Sequence, residues 1–144
     1  YHMDTTSLIE KLTAYGADIR GIQDRFRGDT ELYGKCYRAF LEEPNLALLE
    51  QAMTAQEHSQ AFEAAHALKG LSGNLGLTPL YDTLCRLVES LRRGDCRSLQ
   101  TEYADVVRSF RRLVDLASEE SAATFPAAVP AGMEAAGIPS DREG

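Results

Sequence analysis

The chain lacks most of the features by which metalloproteins and membrane proteins are recognised from sequence. It contains no tryptophan and only three cysteines, and Cys36, Cys85 and Cys96 show no metal-ligand spacing to one another or to a histidine. No apolar run approaches the length of a membrane span. The sequence shows no secretory signal, and together with the scattered cysteines this predicts a reducing, cytoplasmic location.

Positive charge is also scarce, which narrows the range of partners. The chain has 15 Lys and Arg against 22 Asp and Glu, a net charge of -7 over 144 residues. Such a balance disfavours a nucleic acid or an anionic membrane surface as partner. It does not exclude that a local basic patch binds an acidic protein. There is no glycine-rich nucleotide loop and no cluster of metal ligands, so we expect this chain to bind no cofactor and no metal.

The sequence contains no segment with the period-two alternation of a strand, and helical spacing of apolar residues dominates instead. It predicts an all-α fold, an up-and-down antiparallel four-helix bundle with extra N-terminal helices. The body of the bundle is expected from about Asn45 to Ala117, with the 29–43 helix packed alongside. The helices are predicted to begin near Ser7, Asp18, Asp29, Pro44, His58, Thr78 and Ser98.

Composition divides the chain into three parts. Residues 1–3 are interpreted as a cloning remnant, so His2 is excluded from any functional argument. Residues 4–120 form the helical bundle, and residues 121–144 form a tail rich in alanine, proline and glycine. Such a tail is typical of a disordered linker or extension. Its scattered apolar residues leave open the alternative that it docks on the bundle or on a neighbouring copy.

The most informative segment runs from His66 to Gly73, with the sequence His-Ala-Leu-Lys-Gly-Leu-Ser-Gly. At about 100° per residue, Lys69, Gly70 and Gly73 all lie within roughly 60° of His66 around a helix axis. Glycine inside a helix costs about 1 kcal/mol relative to alanine, so two of them beside one histidine indicate a surface that must stay flat. The group suits a histidine that another protein must reach and that carries an anion.

The opposite side of this helix indicates which way the histidine faces. Its predicted core stripe has its centre near Leu68, roughly 160° from His66, so the imidazole is expected to face solvent. Phe62 lies one turn before His66 and Leu77 continues toward the histidine side; either could contact a partner, and for Phe62 packing at the edge of the core is an equal alternative. The residues of the predicted core stripe are Ala61, Ala64, Leu68, Leu71 and Leu75.

The run from His66 to Gly73 closely resembles the motif of the histidine phosphotransfer (Hpt) domain of multistep phosphorelays. The similarity extends over roughly Thr5 to Ala117, and the 18–33 segment resembles the approach to such domains at the C-terminal end of hybrid sensor kinases. Leu71 departs from the family pattern, which more often has a small polar residue there. Because it falls on the predicted core side, we expect little consequence.

The resemblance implies a role for each of these residues. His66 would accept a phosphoryl group from the aspartyl phosphate of a response-regulator receiver domain and pass it to another receiver in a bacterial-type phosphorelay. Lys69 would offset the phosphate charge, and Gly70 and Gly73, with Phe62 and Leu77, would form the surface on which the receiver docks. Mg²⁺ is expected in the receiver and not in this chain, which would be a carrier rather than a catalyst.

Two alternatives remain open at the level of sequence. The chain could be a phosphoacceptor domain like that of chemotaxis kinases, phosphorylated by an ATP-dependent histidine kinase domain of the same polypeptide or of another protein. In that case, or in a hybrid kinase, it could be the cytoplasmic part of a membrane-bound sensor. It could also be a helical adaptor that keeps the motif without being phosphorylated.

Overall fold

The computed structural model describes the backbone of residues 5–124 and the side chains of residues 7–118, and this part of the chain is entirely helical apart from its connections. The prediction of an all-α fold is confirmed. The helices are α1 Thr5–Tyr15, α2 Ile19–Phe26, α3 Thr30–Phe40, α4 Pro44–Ala55, α5 His58–Asn74, α6 Thr78–Arg93 and α7 Leu99–Thr124.

Local sequence signals account for most of these boundaries. The carboxylates of Asp18 and Asp29 accept hydrogen bonds from the backbone N–H groups of Gly21 and Leu32 and so cap α2 and α3. Pro44 stands in the first turn of α4, where its missing N–H costs nothing. Gly94 ends α6 with a φ of 70°, a left-handed conformation that glycine adopts without strain.

Helices α4 to α7 form the four-helix bundle, in which each helix packs against the next one along the chain. The short connections between them make consecutive helices antiparallel, as the sequence predicts. The centre of the bundle is almost purely aliphatic, so its helices are held together mainly by burial of apolar surface. Its fully or almost fully buried side chains include Leu49, Ala61, Leu68, Leu80, Leu84, Leu87, Val106 and Leu113.

Helices α1 to α3 pack on the bundle and are fastened to it by buried tyrosines. The Tyr33 hydroxyl donates a hydrogen bond to the carbonyl of Leu75 at 2.7 Å, and the Tyr37 hydroxyl donates one to the carbonyl of Leu113, also at 2.7 Å. Burial raises the pKa of both hydroxyls above its ordinary value. The N-terminal helices therefore reach both the end of α5 and the middle of α7.

A second set of contacts joins α2 to the turn that follows α5. The Arg25 guanidinium donates hydrogen bonds to the carbonyls of Asn74 at 2.8 Å and Gly73 at 3.2 Å. The backbone N–H of Asp18 donates to the carbonyl of Gly76 at 2.8 Å. Since the last carbonyls of a helix have no partner within it, Arg25 completes the C-terminal end of α5 from another helix.

Some details differ from the sequence-based expectations. Helix α1 begins at Thr5, two residues before the predicted start, and α7 continues to Thr124, beyond the apolar stripe that ends at Ala117. Leu32 of α3 is 46% exposed although it is a large apolar residue. The prediction about residues 1–3 lies outside the described residues. Of the predicted tail, residues 121–144, only residues 121–124 are described, and they belong to the last turn of α7.

Candidate functional site

Helix α5 carries the candidate site, and its buried face fixes the direction of the histidine. Ala61, Ala64, Ala65 and Leu68 are almost completely buried, whereas His66 is exposed. The small alanines allow α5 to pack closely between α4 and α6, and they leave the opposite face of the helix in solvent. The outward orientation predicted for His66 is confirmed.

The prediction that Leu71 belongs to the core stripe of α5 is wrong. Leu71 is 38% exposed, and its place in the interior is taken by Ser72, which is completely buried and donates a hydrogen bond from Oγ to the carbonyl of Lys69 at 3.0 Å. Ala65 and Ser72 are both buried. The buried face of α5 is therefore rotated about the helix axis from the predicted one, by less than the roughly 100° that separates successive residues. Leu71 then lies at its edge.

The imidazole of His66 lies beside an aromatic ring that in turn supports a cation. The rings of Phe62 and His66 are stacked, with their centroids 5.6 Å apart and an interplanar angle of 25°. On the Phe62 ring also lies the guanidinium of Arg92 from α6, with Cζ 5.5 Å from the ring centroid. Phe62 is half-buried and packs against the core, which confirms its contact with the edge of the interior.

Lys69 and Gly70 lie on the same side of α5 as His66. Within the described part of the chain, no hydrogen bond or ion pair involves the Lys69 ammonium, and the side chain is half-buried. A Cβ added to Gly70 would meet nothing within 4 Å, so the surface beside the histidine is open. An open, flat surface next to a free ammonium leaves room for an incoming anionic group.

Gly73 has a different environment from Gly70. A Cβ at Gly73 would lie 3.0 Å from Cε1 and 3.1 Å from Cδ1 of Tyr81 on α6, a tighter approach than side chains normally make. Close helix packing therefore accounts for this glycine, although its position on a helical wheel is on the same side as His66.

The prediction that Leu77 contacts a partner is wrong. Helix α5 ends at Asn74, and Gly76 follows with a φ of 69°, so the chain reverses direction before residue 77. Leu77 consequently points into the core and is completely buried. The direction of Leu77 was predicted by continuing the helical spacing of α5. That spacing does not apply beyond the end of the helix, so the prediction fails.

Charged residues of α6 form a chain of ion pairs that leads to the Phe62 ring. Glu89 pairs with Arg92, with Nη1 2.6 Å from Oε1, and also with Arg93, with Nη1 3.4 Å from Oε2. These ion pairs could have been predicted from the sequence, because opposite charges spaced i, i+3 and i, i+4 on a helix are neighbours. Nothing in the sequence indicated that Arg92 would lie on the ring of Phe62.

Neither a metal site nor a membrane span is found in the described residues. No group of three or more His, Cys, Asp and Glu side chains there is placed to hold a metal ion. None of the described helices combines the length and the apolar character that crossing a bilayer requires.

Comparison with known families identifies the class of this chain. The model of the Hpt domain family matches residues 38–123, which contain the four-helix bundle except for the last residue of α7 and include the exposed His66 and Lys69. The chain therefore belongs to the Hpt domain family. Hpt domains act in histidine phosphotransfer within phosphorelays, where they interact with response-regulator receivers. Searches of curated proteins and of solved structures each give no match.

Proposed function

We propose that this chain accepts a phosphoryl group on His66 from the aspartyl phosphate of a receiver domain and passes it to a second receiver. The observation that carries the proposal is the exposure of His66 on the face of α5 opposite its buried stripe, in a chain of the Hpt family. A histidine in this position can be reached by the active site of another protein without any rearrangement of the bundle.

The chemistry requires little from this chain beyond the imidazole. A ring nitrogen with a free lone pair attacks the phosphorus of the aspartyl phosphate, the N–P bond forms, and the P–O bond to the aspartate breaks with release of its carboxylate. The second transfer reverses these steps on another aspartate. Positioning and charge neutralisation supply most of the catalysis in phosphoryl transfer, and we assign these to the receiver and to the Mg²⁺ it is expected to hold.

Lys69 and Gly70 serve the transfer in different ways. The Lys69 ammonium has no competing partner among the described residues, and it offsets the added negative charge of the phosphoryl group as a point charge. Gly70 leaves open space beside the imidazole, which lets the loops of a receiver approach. Gly73 contributes indirectly, by allowing α6 to pack close to α5.

The test is the transfer of label from a phosphorylated receiver to the purified chain and to two histidine variants. We expect wild type to acquire label that is labile in acid and stable in base, and His66→Gln to acquire none while keeping its helical circular dichroism. His58→Gln is the matched control, because His58 is an exposed histidine at the start of the same helix. It should be labelled like wild type.

The other outcomes would favour different functions. Label on the His66→Gln variant would contradict the proposal. Labelling only by ATP and a histidine kinase domain, with none from receivers, would indicate the chemotaxis-kinase-like alternative. Unchanged receiver binding without any phosphorylation would indicate an adaptor.

A further inference from the structure

The environment of Arg92 suggests a role that depends on the phosphorylation of His66. Among the described residues, its guanidinium contacts the ring of Phe62 and the carboxylate of Glu89, and about half of the side chain is exposed to solvent. The ring on which it lies is the same ring that stacks on the His66 imidazole. Arg92 is therefore one aromatic ring away from the proposed phosphoacceptor, although it comes from a different helix.

The pair formed by Arg92 and Glu89 is one that a stronger anion can displace. The two side chains are 49% and 47% exposed, and ion pairs at such positions contribute little because water and salt screen them. A phosphoryl group carries nearly two negative charges and three acceptor oxygens, against the single charge of a carboxylate. Arginine also matches a phosphate in a two-point geometry.

Glu89 does not lose its only partner if Arg92 leaves. Its second carboxylate oxygen lies 3.4 Å from Nη1 of Arg93, which has a further acidic neighbour in Asp95 at 3.9 Å. The exchange thus leaves no unpaired charge behind. Arg93 has no contact with Phe62 among the described residues, so it is a natural control.

Building on the proposed function of His66, we propose that Arg92 is a second cation of the phosphohistidine site, exchanging Glu89 for the phosphoryl group once His66 is phosphorylated. In the unphosphorylated state the Phe62 ring contacts both the Arg92 guanidinium and the His66 imidazole. Glu89 competes with the phosphoryl group for the same cation. Removal of the Glu89 charge should therefore strengthen the contact between the Arg92 guanidinium and the phosphoryl group. Removal of the Arg92 side chain should abolish that contact.

The test uses the full chain phosphorylated chemically with phosphoramidate, so that no receiver is needed. The ³¹P resonance of phosphorylated His66 is assigned by its absence in His66→Gln and followed as a function of pH. A nearby cation favours the more highly charged phosphoryl group. We expect Arg92→Ala to raise the midpoint of the phosphoryl titration by about half a pH unit, and Glu89→Gln to lower it.

Controls separate this role from a general effect of surface charge. Arg93→Ala removes an equal charge that has no contact with Phe62 among the described residues, and it should raise the midpoint by less than Arg92→Ala does. The double variant Glu89→Gln with Arg92→Ala should titrate like Arg92→Ala, because Glu89 acts only through Arg92. In wild type, the ¹⁵N–H resonance of Arg92 Nε should shift upon phosphorylation more than that of Arg93.

The inference and the proposed function fail in different ways. Equal midpoints for wild type, Arg92→Ala and Glu89→Gln would overturn the role of Arg92 and leave the proposed function intact. So would equal effects of Arg92→Ala and Arg93→Ala. A chain that no receiver labels would contradict the proposed function, whatever the chemical titration shows.

Discussion

At the scale of single residues, the candidate site is defined by an aromatic ring, an open surface and a cation around His66. Phe62 stacks on the imidazole on one side, while Gly70 leaves open space on the other. Lys69 adds a cation with no partner among the described side chains. The site is thus an exposed nucleophile with fixed surroundings, and it lacks the enclosed cavity in which enzymes usually exclude water.

Gly70→Ala is expected to stabilise the protein while it slows phosphotransfer. The added methyl group meets nothing within 4 Å, and alanine in a helix interior is favoured over glycine by about 0.5–1 kcal/mol. The same methyl group would stand on the surface that a receiver must approach. Urea unfolding measures the gain in stability, and the rate of labelling by a phosphorylated receiver measures the loss.

Gly73→Ala provides the comparison at the second glycine. Its methyl group would lie 3.0 Å from the Tyr81 ring, so the neighbour must shift and the gain in stability should be smaller than at Gly70. If Gly70→Ala is more stable and transfers as fast as wild type, the flat surface is not needed for docking.

At the scale of elements, the C-terminal end of α5 depends on α2. The carbonyls of Gly73 and Asn74 accept hydrogen bonds from the Arg25 guanidinium, and the Asp18 N–H donates to the carbonyl of Gly76. The helix that carries His66 is thereby held at the end where it turns into α6. Helix α2 lies outside residues 38–123, so this support comes from a part of the chain that the family match does not include.

Arg25→Ala is expected to lower the free energy of unfolding by about 1 kcal/mol, since it removes two charge-assisted hydrogen bonds at an exposed position. Arg20→Ala, at an exposed position of the same helix, should change it by less than about 0.5 kcal/mol. Both values can be measured by urea unfolding. Equal effects of the two substitutions would show that Arg25 does not support α5.

The elements themselves were predictable, because their signals are local. Asp18, Asp29 and Pro44 mark helix starts, and Gly94 marks a helix end, by properties of the residue alone. The outward direction of His66 followed from a stripe of apolar residues on one helix. Local patterns of this kind are sufficient to predict any feature that depends on one helix alone, such as its ends and the direction of its side chains.

The remaining features depend on contacts between distant segments. Leu77 was misplaced because the left-handed Gly76 ends the regular helix geometry. Arg25 is separated from Asn74 by 49 positions, and the stacking of Arg92 on Phe62 joins two helices. No periodicity of a single segment contains information about such contacts.

At the scale of the whole molecule, buried tyrosines connect the N-terminal helices and the bundle. Burial raises the pKa of Tyr15, Tyr33 and Tyr37 in the N-terminal helices, that of Tyr15 to about 12. Partial burial within the bundle also raises the pKa of Tyr103 on α7 to about 12. Each hydroxyl is therefore protonated in the folded protein over a wider range of pH than in the unfolded chain. These groups link folding to pH in alkaline solution.

The stability of the protein should fall between about pH 10 and pH 12. Below the unfolded pKa of 10.0 both states keep the tyrosine proton, so this contribution is fully present. Above it the unfolded chain loses protons that the fold retains, and for Tyr15 alone the loss approaches about 1.4 kcal/mol per pH unit. Urea unfolding at pH 9 and pH 11 measures the difference. Appearance of tyrosinate from these residues near pH 10 in the folded protein would contradict this expectation.

The most direct test of the account follows the phosphoryl group after it has reached His66. The phosphorylated chain is separated from its donor and mixed with an unphosphorylated receiver and Mg²⁺. The account predicts that label leaves His66 and appears on the receiver as a base-labile aspartyl phosphate. Label that stays on the chain, or that appears only as inorganic phosphate while the receiver remains unlabelled, would contradict the claim that this protein is a phosphoryl carrier.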